Sequence, residues 1–176
     1  AAACGMDALT HAIEAFINQV ASPATDAMAV EAMRLIGKYL RPYVANRQNL
    51  EAAGGMLVAS NLAGIAFGIA RLGNCHAMAH PLGGFFNIAH GVANAILLPH
   101  IMEFNMLADR GKFKRIAALL GEDVSGLTDL EAAPLAVEAV KKLSKDIGIP
   151  ATLSEVGVKE EAILQMSKDA MLNGNV

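Results

Sequence analysis

Three of the five histidines fall within CHAMAHPLGGFFNIAHG, residues 75–91. His76 and His80 are four residues apart, a spacing that places two side chains on one face of a helix. Along one straight helix His90 would lie about 21 Å from His76, too far to share a metal ion. Residues that interrupt helices stand between them and predict a bend that returns His90 to the site: Pro81, Gly83 and Gly84. The spacing alone does not decide between such a bent metal site and buried core histidines.

A second pair with ligand chemistry stands near the start of the chain, in MDALTHAIEAF. Asp7 and His11 are also four residues apart, so on a helix an oxygen and an imidazole nitrogen could reach one divalent ion. Taken alone, the pair fits better as a solvent-facing capping carboxylate and an unrelated histidine.

The elements that must position these residues are predicted to be helices. The sequence is 54% hydrophobic and only 5% aromatic, with many alanines and leucines, which are good helix formers. Apolar residues recur with a period of about 3.6, and no alternating run indicates a strand. The predicted class is an all-α helical bundle, with a broken region at 74–91 and helices at 6–18, 25–39, 50–72, 92–106, 112–120, 130–147 and 159–172. No glycine-rich nucleotide-binding motif is present.

Charge and composition exclude several partners. The net charge of −3 argues against nucleic acid, because such binding rests on clustered basic residues. Residues 52–70 carry no charge and approach the length of a membrane span, but Ser60, Asn61 and four glycines favour a buried core helix. We therefore expect no membrane partner. Two cysteines without a C-x-x-C spacing are typical of the reducing cytoplasm.

Two longer stretches, GMDALTHAIEAF and HAMAHPLGGFFNIAHGVANAILLPHIMEFN, resemble the signature segments of the iron-containing (group III) alcohol dehydrogenases. The resemblance implies that residues 1–176 form a single all-helical, metal-binding catalytic domain, like the C-terminal domain of dehydroquinate synthase. It also implies a separate N-terminal dinucleotide-binding domain, absent from this chain, that binds most of the NAD or NADP. The implied ligands of Fe²⁺ or Zn²⁺ are Asp7, His11, His76 and His90.

The resemblance gives His80 a different role, beside the nicotinamide and the substrate, as the catalytic and cofactor-binding histidine. Glu14 would be a supporting carboxylate. The implied reaction interconverts a small alcohol or diol and its aldehyde or ketone, in a cytoplasmic homo-oligomer, and the isolated chain is expected to be inactive. A lactaldehyde or 1,3-propanediol oxidoreductase, or a hydroxyacid–oxoacid transhydrogenase, fits equally. A non-enzymatic metal-binding or interaction module is the alternative from another class.

Overall fold

The computed structural model describes residues 1–174, in which every regular element is helical. The eight α-helices are α1 (Ala2–Ile17), α2 (Pro23–Ala45), α3 (Leu50–Ala70), α4 (Asn74–Phe86), α5 (His90–Asn105), α6 (Arg110–Leu119), α7 (Asp129–Asp146) and α8 (Ile163–Met171). Two short 3₁₀ turns precede α8, and no strand occurs within residues 1–174. The predicted all-α class is therefore confirmed. The last two residues of the predicted domain, 175–176, lie outside the described residues.

Capping residues explain where several helices begin. Ser22 accepts the Thr25 N–H in a capping box, with proline at the first helical position of α2. At the start of α7 the Thr128 hydroxyl accepts the Glu131 N–H, and the Glu131 carboxylate accepts from Thr128 in return. Such caps satisfy N–H groups that have no partner within the helix.

The first helix is the centre of the bundle. It packs against α2, α3 and α5, while α4 lies between α5 and α8, and α6 pairs with α7. Its large apolar side chains are fully buried among these neighbours: Met6, Leu9, Ile13 and Phe16. The same helix carries Asp7 and His11, so both stand on a rigidly packed element.

The third helix differs from the buried core helix that the sequence predicted. It is long and apolar enough to cross a membrane, yet it buries only one face, against α1 and α2. That face consists of small or flexible residues, which are Ala52, Met56, Ala59, Ala63, Ala66 and Ala70. The opposite face is exposed and apolar, with Leu57 73% accessible and Ile69 also exposed. Uniform apolar composition does not indicate which face is buried, and here the alanine face is buried because small side chains let helices approach closely.

The bend between His76 and His90 is also in a different place from the prediction. Helix α4 continues through Pro81 to Phe86, and the glycines at 83 and 84 lie inside it. A proline within a helix removes one backbone hydrogen bond and its ring crowds the preceding turn, a cost that packing of α4 against α5 and α8 can offset. The break comes at Asn87, which adopts the left-handed conformation with φ of 52°. Asparagine tolerates this region better than most residues, and α5 then begins at His90.

Candidate metal centre

Three helices bring donor atoms together. Asp7 on α1, His76 on α4 and His90 on α5 each offer one ligand atom, and these atoms lie within 4.8 Å of one another. The Asp7 Oδ1 atom is 3.7 Å from His76 Nε2 and 3.6 Å from His90 Nε2. His76 is buried, whereas His90 is 42% exposed. The cluster is thus closed on the His76 side and open on the His90 side.

The His76 ring has one partnered and one unpartnered nitrogen. Its Nδ1 lies 2.5 Å from Glu14 Oε2. Its Nε2 is buried and has no hydrogen-bond partner among the described residues. A buried polar atom without a partner is uncommon and calls for a ligand or an ion. Because this nitrogen faces Asp7 and His90, the donor set has the composition that Fe²⁺ or Zn²⁺ prefers.

The fourth predicted ligand, His11, lies beside this cluster. Its donor atoms do not belong to the group within 4.8 Å. Its ring stacks between Phe67 at 4.3 Å and His76 at 4.6 Å, measured between ring centroids. Burial, opposed by the charge of Asp7, lowers the pKa of His11 to about 4. The ring is therefore neutral at physiological pH, the state that a metal ligand needs.

Two members of the cluster, Asp7 and His76, have pKa values shifted in the directions that favour an ion pair between them. Burial raises the pKa of Asp7, but contacts with His76 and Asn94 and the charges of His11 and His90 outweigh it, and the net pKa is lowered. Burial lowers the pKa of His76, yet its contacts with Asp7 and Glu14 outweigh it and the net pKa is raised. A proton on His76 therefore competes with any cation.

His80 lies outside the donor cluster, on its open side. Its ring stacks on His90 at 5.5 Å, and Asn173 donates an N–H to its Nδ1 over 2.7 Å. It borders a cleft of about 670 Å³ together with Phe85, Asp169 of α8 and Asn173, which follows that helix. Burial lowers the pKa of His80, and the charges of His90 and His76 lower it further. This neutral histidine is placed at the mouth of the cluster.

Two residues of the site were missed from the sequence. Asn94 is buried, and its Nδ2 donates to Asp7 Oδ1 over 2.7 Å and lies 3.1 Å from His90 Nε2. Asn94 lies four residues after His90 on the same helix face, and this spacing could have identified it as a neighbour of His90 in the site. Gly91 is the second, because a Cβ atom there would lie 2.2 Å from the carbonyl oxygen of Ala3. This absence of a side chain lets α5 approach α1 closely enough for His90 to meet Asp7.

Comparison with known proteins places these features in a family. Residues 1–176 match the model of the Fe-containing alcohol dehydrogenase family, C-terminal part. The chain belongs to this family. The 1,3-propanediol dehydrogenase of Klebsiella pneumoniae is 52% identical over 174 residues, which cover 99% of this chain and 45% of that protein. The NAD-dependent methanol dehydrogenase of Bacillus methanolicus is 45% identical, over 96% of this chain and 44% of its own length.

Solved structures of related dehydrogenases have the same helical arrangement. A crystal structure of a 1,3-propanediol oxidoreductase matches with a TM-score of 0.98 and 52% identity, covering 99% of this chain and 46% of that one. An alcohol dehydrogenase from Oenococcus oeni matches with a TM-score of 0.97 and 43% identity, over 99% and 45% of the two chains. The chain thus spans just under half the length of these relatives. The family resemblance is confirmed, while the ligand and catalytic assignments remain predictions.

Proposed function

We propose that this chain is the metal-binding catalytic domain of a nicotinamide-dependent alcohol dehydrogenase that interconverts a small alcohol or diol and its aldehyde or ketone. The observation that carries the proposal is the buried, unpartnered Nε2 of His76, which faces Asp7 and His90. Similarity to a 1,3-propanediol dehydrogenase, an NAD-dependent methanol dehydrogenase and an Escherichia coli lactaldehyde reductase supports the reaction class. The region of the relatives outside the matched part would supply most of the NAD or NADP site.

The residues that would hold Fe²⁺ or Zn²⁺ are Asp7, His11, His76 and His90. A bound divalent ion supplies Lewis-acid stabilisation of negative charge on the substrate oxygen. The exposed side of His90 leaves room for a small alcohol to approach the cluster. Since Asn173 donates to Nδ1 of His80, the neutral His80 ring carries its proton on Nε2. His80 can pass this proton to or from a substrate on the open side.

Metal binding is the first test. We expect the purified chain to bind one Zn²⁺ or anaerobic Fe²⁺ ion only weakly, because the site is open on the His90 side, and calorimetry with elemental analysis measures this. The His76→Ala variant should lose this binding, because the substitution removes the most buried donor. His100→Ala is the matched control, since His100 is an exposed histidine on α5 outside the cluster. Absence of binding by the unaltered chain, or equal binding by both variants, would refute the metal site.

Activity is the second test. The chain alone should not oxidise NADH or NADPH with a short aldehyde, because most of the cofactor site would lie elsewhere. Grafting it in place of the matched region of the Klebsiella pneumoniae 1,3-propanediol dehydrogenase should give cofactor-dependent turnover. In that graft His80→Ala should reduce kcat and leave the metal content unchanged. A folded, metal-loaded graft without turnover would favour the non-enzymatic module instead.

We also propose a cytoplasmic homo-oligomer. Cys4 and Cys75 are both free, as expected in a reducing compartment. The exposed apolar face of α3 offers a surface for association with another copy or another domain.

A further inference from the structure

The Glu14 side chain is a buried carboxylate with two separate partners. It is 2% exposed, although carboxylates are rarely buried unless they are paired. One oxygen, Oε2, lies 2.5 Å from His76 Nδ1. The other, Oε1, accepts the backbone N–H of Cys75 over 2.7 Å. Both partners belong to the first turn of α4, whereas Glu14 belongs to α1.

The carboxylate replaces a cap that α4 does not have. The residue before this helix is Gly73, which has no side chain to accept the first N–H groups. Glu14 performs that task from the neighbouring helix, and its negative charge suits the positive end of the helix dipole. Gly73 makes the approach possible, because a Cβ atom there would lie 3.0 Å from Glu14 Oε1. The start of α4 is therefore fixed relative to α1.

The same carboxylate determines the orientation of the His76 ring. A carboxylate only accepts hydrogen bonds, so the nitrogen facing it must carry the proton. With the proton on Nδ1 of the neutral ring, Nε2 keeps a free electron pair directed towards Asp7 and His90. The alternative tautomer would place two electron pairs face to face across 2.5 Å.

We propose that Glu14 is the positioning residue of the metal centre: it holds His76 in the tautomer and orientation that bind a cation. This inference rests on the proposed function, because it presumes that His76 is a ligand. A hydrogen-bonded carboxylate behind a ligating histidine also raises the basicity of the ligand nitrogen. Glu14 contacts Nδ1, whereas the ion would bind at Nε2, so the carboxylate would not itself touch the cation.

Glu14→Gln tests the proposal with little change of shape. The amide oxygen can accept a hydrogen bond from only one of the two N–H groups, Cys75 N or His76 Nδ1. The amide NH₂ group then faces the other N–H group, so that two donors meet. The Zn²⁺ affinity should fall about 10- to 100-fold, the range typical for such supporting residues. Glu103→Gln is the control, because Glu103 is an exposed carboxylate that pairs with Lys141 far from the cluster. Equal Zn²⁺ affinity of the Glu14→Gln variant and the unaltered chain would overturn the proposal and leave the metal site intact.

A spectroscopic measurement on the unaltered chain decides the question even where the variant fails to fold. In ¹⁵N–¹H correlation spectra of the Zn²⁺-loaded chain, His76 should carry its proton on Nδ1, with slow exchange and a strongly deshielded signal. A proton on Nε2 would overturn the assignment, since Glu14 would then not fix the tautomer. Failure of the unaltered chain to bind Zn²⁺ would instead overturn the proposed function, and this inference with it.

Discussion

A methyl group at Gly91 should separate α1 and α5, two of the helices that carry the proposed metal ligands. The Cβ of an alanine there would lie 2.2 Å from the Ala3 carbonyl oxygen and 2.6 Å from its carbonyl carbon. Ordinary contacts begin at 3.4 Å, so α5 must move away from α1 by about 1.2 Å at this point. Both opposing atoms belong to the backbone of α1, which cannot rotate aside as a side chain would.

The displacement acts on stability and on metal binding together. Overpacking of this kind costs about 1–3 kcal/mol of unfolding free energy, measurable by urea denaturation of the metal-free chain. His90 precedes Gly91 directly, so it moves away from Asp7 by a distance several times the ~0.2 Å tolerance of metal–ligand bonds. We therefore expect the Zn²⁺ affinity of Gly91→Ala to fall at least tenfold in a calorimetric titration.

Gly84→Ala is the matched control. A Cβ atom at Gly84 meets nothing within 4 Å, and the residue lies inside α4. This variant should gain about 0.5–1 kcal/mol of stability, because alanine favours helices over glycine, and should bind Zn²⁺ normally. An unaltered urea midpoint and Zn²⁺ affinity in Gly91→Ala would refute the argument. A loss of Zn²⁺ binding in Gly84→Ala would also refute it, because it would indicate that the chain bends at the glycines, as the sequence predicted.

Three further expectations follow from the site and the surface. A proton on His76 competes with the metal, and the net pKa of His76 is raised above its ordinary value of 6.5. As the pH is lowered, the Zn²⁺ affinity should therefore begin to fall before pH 6.5 is reached. A constant affinity down to pH 5 would contradict this expectation. Leu57→Lys should shift the chain towards monomer in sedimentation velocity, since it charges the exposed face of α3; unchanged self-association would exclude that face. Thr128→Ala should lower the unfolding free energy by about 1 kcal/mol through loss of the α7 cap, without altering Zn²⁺ binding, and an unchanged urea midpoint would show the cap to be dispensable.

Local signals in the sequence were sufficient for most of the helices, though not for α4, and for the shared helix face of Asp7 and His11. Helix starts such as that of α7 depend on residues three apart, Thr128 and Glu131, which the sequence shows directly. The shared face of Asp7 and His11 follows from helical periodicity. These features need no knowledge of how helices pack.

Features that depend on packing could not be predicted in the same way. Proline and glycine signalled a bend at 81–84, but contacts of α4 with α5 and α8 maintain the helix there, and the turn falls at Asn87. The contact between Glu14 and His76 spans 62 residues and exists only because α1 lies alongside the start of α4. Which face of α3 is buried likewise depends on the helices that pack against its alanine residues.

The distribution of donors over three helices connects metal supply to the lifetime of the folded chain. Asp7 belongs to the first helix, whereas His76 and His90 follow only after α2 and α3 have been completed. The unfolded chain therefore has no assembled site, and an ion bound there acts as a reversible cross-link between the first helix and the middle of the sequence. At a free ion concentration one hundred times Kd, such binding adds about 2.7 kcal/mol to stability. We therefore expect proteases to degrade the metal-free chain faster than the metal-loaded chain.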